Sequence, residues 1–293
     1  MAIDLHIHSN HSDGRLTPRQ LVAKAARLGL KAIAVADHDT CSGAREAARY
    51  AKQFKIRVIP AVEVSAIHQS KVIHILGYFV NTRSRALVAK LDALRRDRIS
   101  RAVKIIKRVN VLAKKRGRPA VDPKEFLEWA GKKEMIMRGD LAWFLFHKGF
   151  GKSPNDVFLN WLESTNIPVR GLSVREAIRA IHGAGGVAVL AHPNSASLGL
   201  RRFSQRIRDH QAIIAAFARY GLDGLEVKTP RTAKSVAAYY RKVADRLKII
   251  PTAGSDFHGP HIPGARVLGA ARAPDATYDE LKKRSERYAR DAR

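Results

Sequence analysis

Two histidines one residue apart, His6 and His8, close a short apolar run that begins at Ile3. On a strand alternate side chains share a face, so both imidazoles point the same way, as a two-point clamp on one metal ion requires. Asp13 follows in a turn ended by Gly14, where a short carboxylate swings back toward that ion or its neighbour. A pair of surface histidines on an edge strand would read the same, so the motif needs company. His38, Glu63, His74, His192, Asp256 and His258 supply it. Imidazole and carboxylate donors without a thiolate suit Mn, Fe or Zn. Nine donors are too many for one ion and suit three with bridging carboxylates. Such ions, ~3.5–4 Å apart, would activate water and hold the oxygens of a phosphoryl displacement.

The elements that must position these groups alternate between strand and helix. Strands are expected over 3–7, 31–36, 57–62, 72–79, 187–190, 224–227 and 248–252, seven in all, with no internal repeat. Thr17-Pro18-Arg19-Gln20 reads as a capped helix start that leads to Gly29, and Ser173 with Glu176 as another capping box. This alternation implies a parallel α/β sheet or barrel, in which ligands sit at the carboxyl ends of strands. Each of the nine residues is expected at or near such an end. The alternation breaks after Asn81: 84–115 is one long helix, with further helix starts at Asp122-Pro123, near Gly139 and at Ser153-Pro154. The chain is therefore expected to divide into a barrel, 1–83 with 166–293, and a helical insertion, 84–165. A basic helix is expected over 203–220 and a final helix from Thr277.

The chain has 293 residues and a formal net charge of +28, which favours polyanionic partners such as nucleotides or RNA. From Arg95 to Arg118 the long helix carries eleven basic residues and one acid, Asp97, which makes it either a solvated face or a guide for substrate. No apolar run approaches the ~20 residues of a membrane helix. The immediate entry into a strand leaves no signal peptide. The single cysteine, Cys41, excludes an intrachain disulfide and points to a reducing cytoplasm. His11, His68, His147, His182, His210 and His261 have no metal-binding company and read as structural or surface residues, with His11 and His261 at a rim.

Together, His6-x-His8-Ser9, Ser12-Asp13-Gly14, Asp37-His38-Asp39-Thr40, Glu63, His74, Ala191-His192-Pro193 and Gly254-Ser255-Asp256-Phe257-His258-Gly259 resemble the motifs of the PHP (polymerase and histidinol phosphatase) superfamily, in its TrpH-like branch. The resemblance spans all but the far tail. It implies an α/β fold, a distorted seven-stranded β/α barrel with a helical insertion, and a trinuclear centre of divalent ions, manganese before iron or zinc. It places His6, His8, Glu63 and Asp256 on one ion, Glu63, His74 and His192 on a second, and Asp13, His38 and His258 on a third. Glu63, Asp13 and His192 take the catalytic roles. The branch dephosphorylates nucleoside 3′,5′-bisphosphates or trims short RNA from a 5′-phosphate. Its Arg-x-His-x-x-Arg pattern is reduced here to Arg138, and Ile167 replaces a basic residue before Pro168. Arg138 and Arg170 are the candidate substrate ligands. A small-molecule phosphomonoesterase such as a histidinol phosphatase, and a nucleic-acid-binding module with a vestigial metal site, are the alternatives. The intact ligand set opposes the second of these.

Overall fold

A computed structural model of the chain describes residues 2–131, 134–193, 207–260 and 267–291. It divides into two compact units, Met1–Asp92 with Gly171–Arg293, and Ala93–Arg170. The first unit holds every strand: β1 (Ala2–Ile7), β2 (Ala32–Val35), β3 (Arg57–His68), β4 (Lys71–Tyr78), β5 (Leu172–Ser173), β6 (Val187–Leu190), β7 (Gly224–Lys228), β8 (Ile250–Ala253) and β9 (Ala273–Pro274). They form one sheet in the order β8-β7-β6-β4-β3-β2-β1-β9, with β5 paired to β3. Seven are the expected strands. The two-residue β5 and β9 carry too little sequence to be read in advance.

The sheet is an almost closed barrel. Ile7 bridges Phe257 in parallel, His8 N–H donates to Phe257 O at 2.8 Å, and Asp256 N–H donates to His6 O at 2.7 Å. Gly254 is required at this seam, since a Cβ there would lie 2.2 Å from His6 Cβ and 2.7 Å from His6 N. Six of the seven long strands contribute to the barrel's filling, among them Ile3, Leu5, Ala34, Ala61, Leu76, Val189 and Ala253. On β2 the alternate residues Ile33 and Val35 pack instead with Leu21, Val22 and Ala25 of α1 (Pro18–Arg27) and Ala47 of α2 (Ser42–Tyr50). Burial on both faces is why this strand is an unbroken apolar run.

The expectation of a parallel sheet fails at two strands: the short β9 runs antiparallel to β1, and β4 is reversed within the body of the sheet. β4 runs antiparallel to both β3 and β6. β3 does not end at 62 but continues to His68, turning into β4 through Gln69 and Ser70, both left-handed at φ 46° and 62°. That is a two-residue hairpin of the type that twists with its strands. It lacks the Asn-Gly or Asp-Gly signature that would have announced it. Glu63 is thus a mid-strand residue and His74 lies in the amino-terminal half of its strand; neither stands at a carboxyl end as expected. The reversal of β4 brings its amino half to the end of the barrel where the parallel strands finish, with Ser65 opposite His74.

The remaining helices are α3 (Arg85–Lys115), α4 (Pro123–Ala130), α5 (Arg138–His147), α6 (Pro154–Val157), α7 (Val174–Gly183), α8 (Ile207–Arg219), α9 (Lys234–Leu247) and α10 (Ala276–Asp291), with a π-helical turn at Phe158–Leu162. Both capping boxes form: Thr17 with Gln20, and Ser173 with Glu176. The start expected for α8 at 203, and His261, lie outside the described residues. The second unit has its own core, centred on Ile105, Ile106, Val109, Phe126, Leu141, Phe144 and Trp161. None of the described helices is long and apolar enough to cross a membrane.

Asp4 is the latch of the seam. Fully buried, its carboxylate accepts from Ser255 N at 2.8 Å, Gly269 N at 2.8 Å and His6 N at 3.3 Å. Asp4→Ala strands these donors, each costing about 1–3 kcal/mol when unpaired. Urea denaturation of the metal-free chain should show a loss of at least about 2 kcal/mol; unaltered stability would mean that the seam closes without it.

Candidate metal centre

All nine sequence-identified donors gather at one end of the barrel. β1 delivers His6, with His8 just beyond its end, and the loop after it delivers Asp13. His38 follows β2, Glu63 and His74 lie within β3 and β4, His192 follows β6, and Asp256 and His258 follow β8. Asp37 shapes the loop that carries Asp13, accepting from Ser9 N at 2.7 Å, Ser9 Oγ at 2.6 Å and Ser12 Oγ at 2.6 Å. His192 and Asp256 are held at φ 27° and 51°, sparsely populated for residues other than glycine, as is common where a site over-determines its backbone.

Glu63 is the hub. Its Oε2 lies 3.2 Å from His6 Nε2, from His8 Nε2 and from His38 Nδ1, yet forms no hydrogen bond. Its Oε1 lies 3.2 Å from His74 Nδ1 and 3.1 Å from His192 Nε2. Asp256 Oδ1 stands 3.2 Å from His8 Nε2 and 3.6 Å from His6 Nε2. On the far side of His8 and His38, Asp13 lies 3.4 Å from His258 Nε2, 3.6 Å from His8 Nδ1 and 3.8 Å from His38 Nε2. Seven of the nine donors fall into three overlapping groups close enough for an ion each: His6, His8, Glu63; His38, Glu63, His74; and His8, Asp13, His38, His258; His192 and Asp256 stand beside them against Glu63 and His8.

The buried atoms His8 Nδ1, His38 Nδ1 and Glu63 Oε2 have no hydrogen-bond partner. Burying such groups unpaired is costly, and lone pairs aimed into a common space are what a cation satisfies. The donor set therefore fits divalent ions. The neighbouring carboxylates favour a proton on His8 and His6, whereas burial holds His38 well below the ordinary imidazole range. Burial opposes a charge on His8, but Asp256, Glu63 and Asp13 outweigh it and raise its pKa to about 10. His6 is raised likewise, against burial, by Glu63, Glu226 and Asp256. Glu63 is pulled well below the carboxylate range despite burial, first by His38, then by His6 and His74.

Glu226, on β7, escaped the sequence reading. It is buried; Oε1 accepts from His6 Nδ1 at 3.1 Å and Oε2 from His192 N at 2.7 Å. It thereby fixes the His6 tautomer, turning the Nε2 lone pair toward the centre. A lone acid inside the apolar strand Gly224-Leu225-Glu226-Val227 was the available signal. The backbone carbonyl of Asp256 does the same for His258, accepting from Nδ1 at 2.8 Å. His11 pairs with Glu46 at 2.8 Å, away from the nine. Arg138 and Arg170 both belong to the second unit; Arg138 donates to Leu162 O at 2.8 Å and packs on the Phe158 ring, and Arg170 is exposed.

A barrel whose strand ends converge imidazoles and carboxylates on one buried glutamate defines a metal-dependent phosphoesterase of the PHP class, and the comparisons with known proteins agree. The PHP domain model matches residues 4–136. The chain is 32% identical to the 3′,5′-nucleoside bisphosphate phosphatase of Chromobacterium violaceum, over 91% of this chain and 90% of that protein. It is 29% identical to the 5′-3′ exoribonuclease Rnm of Escherichia coli (strain K12), over 88% and 85%. A solved structure from Bifidobacterium adolescentis, assigned as a metal-dependent phosphoesterase, superposes with a TM-score of 0.79 at 28% identity and covers 96% of both chains. The chain belongs to the PHP family.

Glu226→Gln keeps the shape but offers one acceptor where two donors point. Metal affinity, measured by competition with a chromogenic chelator, should fall about 10–100-fold. Unchanged affinity would show that His6 is oriented without Glu226.

Proposed function

We propose that the chain hydrolyses phosphoesters of nucleotides, with nucleoside 3′,5′-bisphosphates and 5′-phosphorylated short RNA as its substrate classes. What carries this reading is the convergence of the nine donors at one end of the barrel, seven of them in groups close enough for an ion, in a chain whose relatives include a bisphosphate phosphatase and exoribonucleases. The first ion falls to His6, His8, Glu63 and Asp256, the second to Glu63, His74 and His192, and the third to Asp13, His38 and His258. Divalent ions, three in number and manganese by preference, supply polarisation of the phosphoryl group and a more acidic water. Glu63 contributes charge to two groups at once. Asp13, His258, His74 and His192 have side chains 27%, 20%, 19% and 15% exposed, whereas those of His6, His8 and Glu63 are 0% exposed, so substrate arrives on the side of those four. A single buried thiol suits a reducing cytoplasm, where we place the enzyme.

Exhaustive chelation should abolish hydrolysis and Mn²⁺ restore it. Glu63→Gln should lose both metal and rate; a variant with wild-type metal content and turnover would end the bridging assignment. A panel of bisphosphate, mononucleotide, 5′-phosphorylated oligoribonucleotide and histidinol phosphate separates the substrate classes. Preference for histidinol phosphate would replace the nucleotide reading.

The long basic helix bears on RNA only through part of its charge. Its exposed cations include Lys104, Lys107, Lys114 and Lys115. Arg108 is also exposed but donates to Asn166 O at 2.7 Å, and Arg101 is buried. If this face follows an RNA strand, replacing Lys104, Lys107 and Lys115 with Ser should raise KM for the oligoribonucleotide and flatten its salt dependence by about 0.7 per lost phosphate contact. Equal effects on a nucleoside bisphosphate would mark the face as merely solvated.

A further inference from the structure

The two most exposed of the nine donors, Asp13 and His258, share their rim with an arginine that the metal centre does not use. Arg15 follows Asp13 by two residues, which keeps its Cα within about 7 Å of that of Asp13. Its N–H donates to His258 O at 2.8 Å, so one residue ties the loop carrying Asp13 to the loop carrying His258. Gly14 seats the first loop on the end of β1, since a Cβ there would lie 2.3 Å from His8 O. Gly259, at φ 121°, leaves the space in which the Arg15 stem lies; a Cβ there would stand 2.8 Å from Arg15 Cβ and 3.3 Å from its Cγ. The backbone and first side-chain carbons of Arg15 are thus set by the same turns that set two ligands.

The residue is exposed, and among the described residues no carboxylate forms an ion pair with its guanidinium. Asp13 and Asp256 are engaged by imidazoles, and Glu46 by His11. α1, which starts three residues later, has no acid in its first turn. A surface arginine ordinarily loses much rotamer freedom when it takes a ligand. Here the stem is already held, and the free guanidinium fork matches the oxygens of a phosphate. Position decides which phosphate. The donors His6, His8 and Glu63, where the reacting group must be held, are closed off from solvent, whereas Arg15 lies at the open edge. It therefore meets a phosphate carried on the substrate beside the reacting one.

We propose that Arg15 is a substrate ligand of the barrel rim that selects phosphoesters bearing a second phosphate over those bearing one. This rests on the phosphoesterase reading above and sharpens it. Nucleoside 3′,5′-bisphosphates and 5′-phosphorylated oligoribonucleotides carry a second phosphate; a mononucleotide and histidinol phosphate do not.

The test offers the Mn²⁺-loaded full-length chain uncleavable probes, so that binding is read apart from hydrolysis. They are a nucleoside 3′,5′-bisphosphonate, with methylene in place of each ester oxygen, and the matching 3′- and 5′-monophosphonates. By calorimetry the parent should bind the bisphosphonate more tightly than either monophosphonate. Arg15→Gln should weaken the bisphosphonate about tenfold, the lower end of the loss expected of a charged hydrogen bond. It should leave the monophosphonates and the Mn²⁺ content unchanged. Arg15→Lys, which keeps the charge without the fork, should recover part of the loss. In turnover, Arg15→Gln should raise KM for the natural bisphosphate and leave kcat in place, as for an interaction made equally before and during the reaction. A parent without the preference, unaltered affinity in Arg15→Gln, equal weakening of all probes, or loss of Mn²⁺ from the variant overturns the assignment. A parent that prefers the bisphosphonate through Arg15 yet hydrolyses no phosphoester would instead overturn only the phosphoesterase reading.

Discussion

Glu63 places a carboxylate where no solvent reaches, with five imidazole nitrogens at 3.1–3.2 Å from its two oxygens. A buried, unpaired carboxylate costs several kcal/mol, and neutral rings alone return little of that. The arrangement is economical only when a cation, whether protons on the rings or metal ions between them, shares the space. Much around it serves to hold those rings in place. Glu226 orients His6, the Asp256 carbonyl orients His258, and Asp37 pins the loop that brings Asp13 back. The seam latched by Asp4 sets β1 beside the segment carrying Asp256 and His258.

The reversed strand β4 matters for the same reason. In an all-parallel barrel a residue in the first half of a strand would face the wrong end. Running β4 antiparallel between β3 and β6 lets His74, four residues into its strand, meet Glu63 and His192. A tight hairpin replaces a helical crossover at this one point, and the barrel gains two inward donors on adjacent strands.

Much of the site was legible because strand geometry has a period of two, which makes His6-x-His8 informative, and because imidazole–carboxylate clusters are rare away from metals. A parallel sheet or barrel was legible from strand–helix alternation, but the reversal of β4 was not; that needed the Gln69-Ser70 turn, whose residues do not advertise a left-handed conformation. Glu226 was hidden as a single acid in an apolar strand, where residue type alone cannot tell a ligand from the group that orients one. The basic helix misled in another way. Arginine reads as solvent-facing, yet Arg98 and Arg101 lie on the side that buries Leu94, Ala102 and Ile105, so part of an apparent surface track is interior. The boundary between the two units falls within α3, where the helical pattern runs on without a break.

The central claim is that these nine donors would hold a cluster of ions, two of which share Glu63. Titration of the apo chain with Mn²⁺, followed by electron paramagnetic resonance, tests it most directly. Two ions bridged by one carboxylate ~3.5–4 Å apart should be exchange-coupled, so the isolated-ion six-line spectrum should be lost as the two sites that share Glu63 fill. A persistent uncoupled signal that saturates at one equivalent would contradict the account.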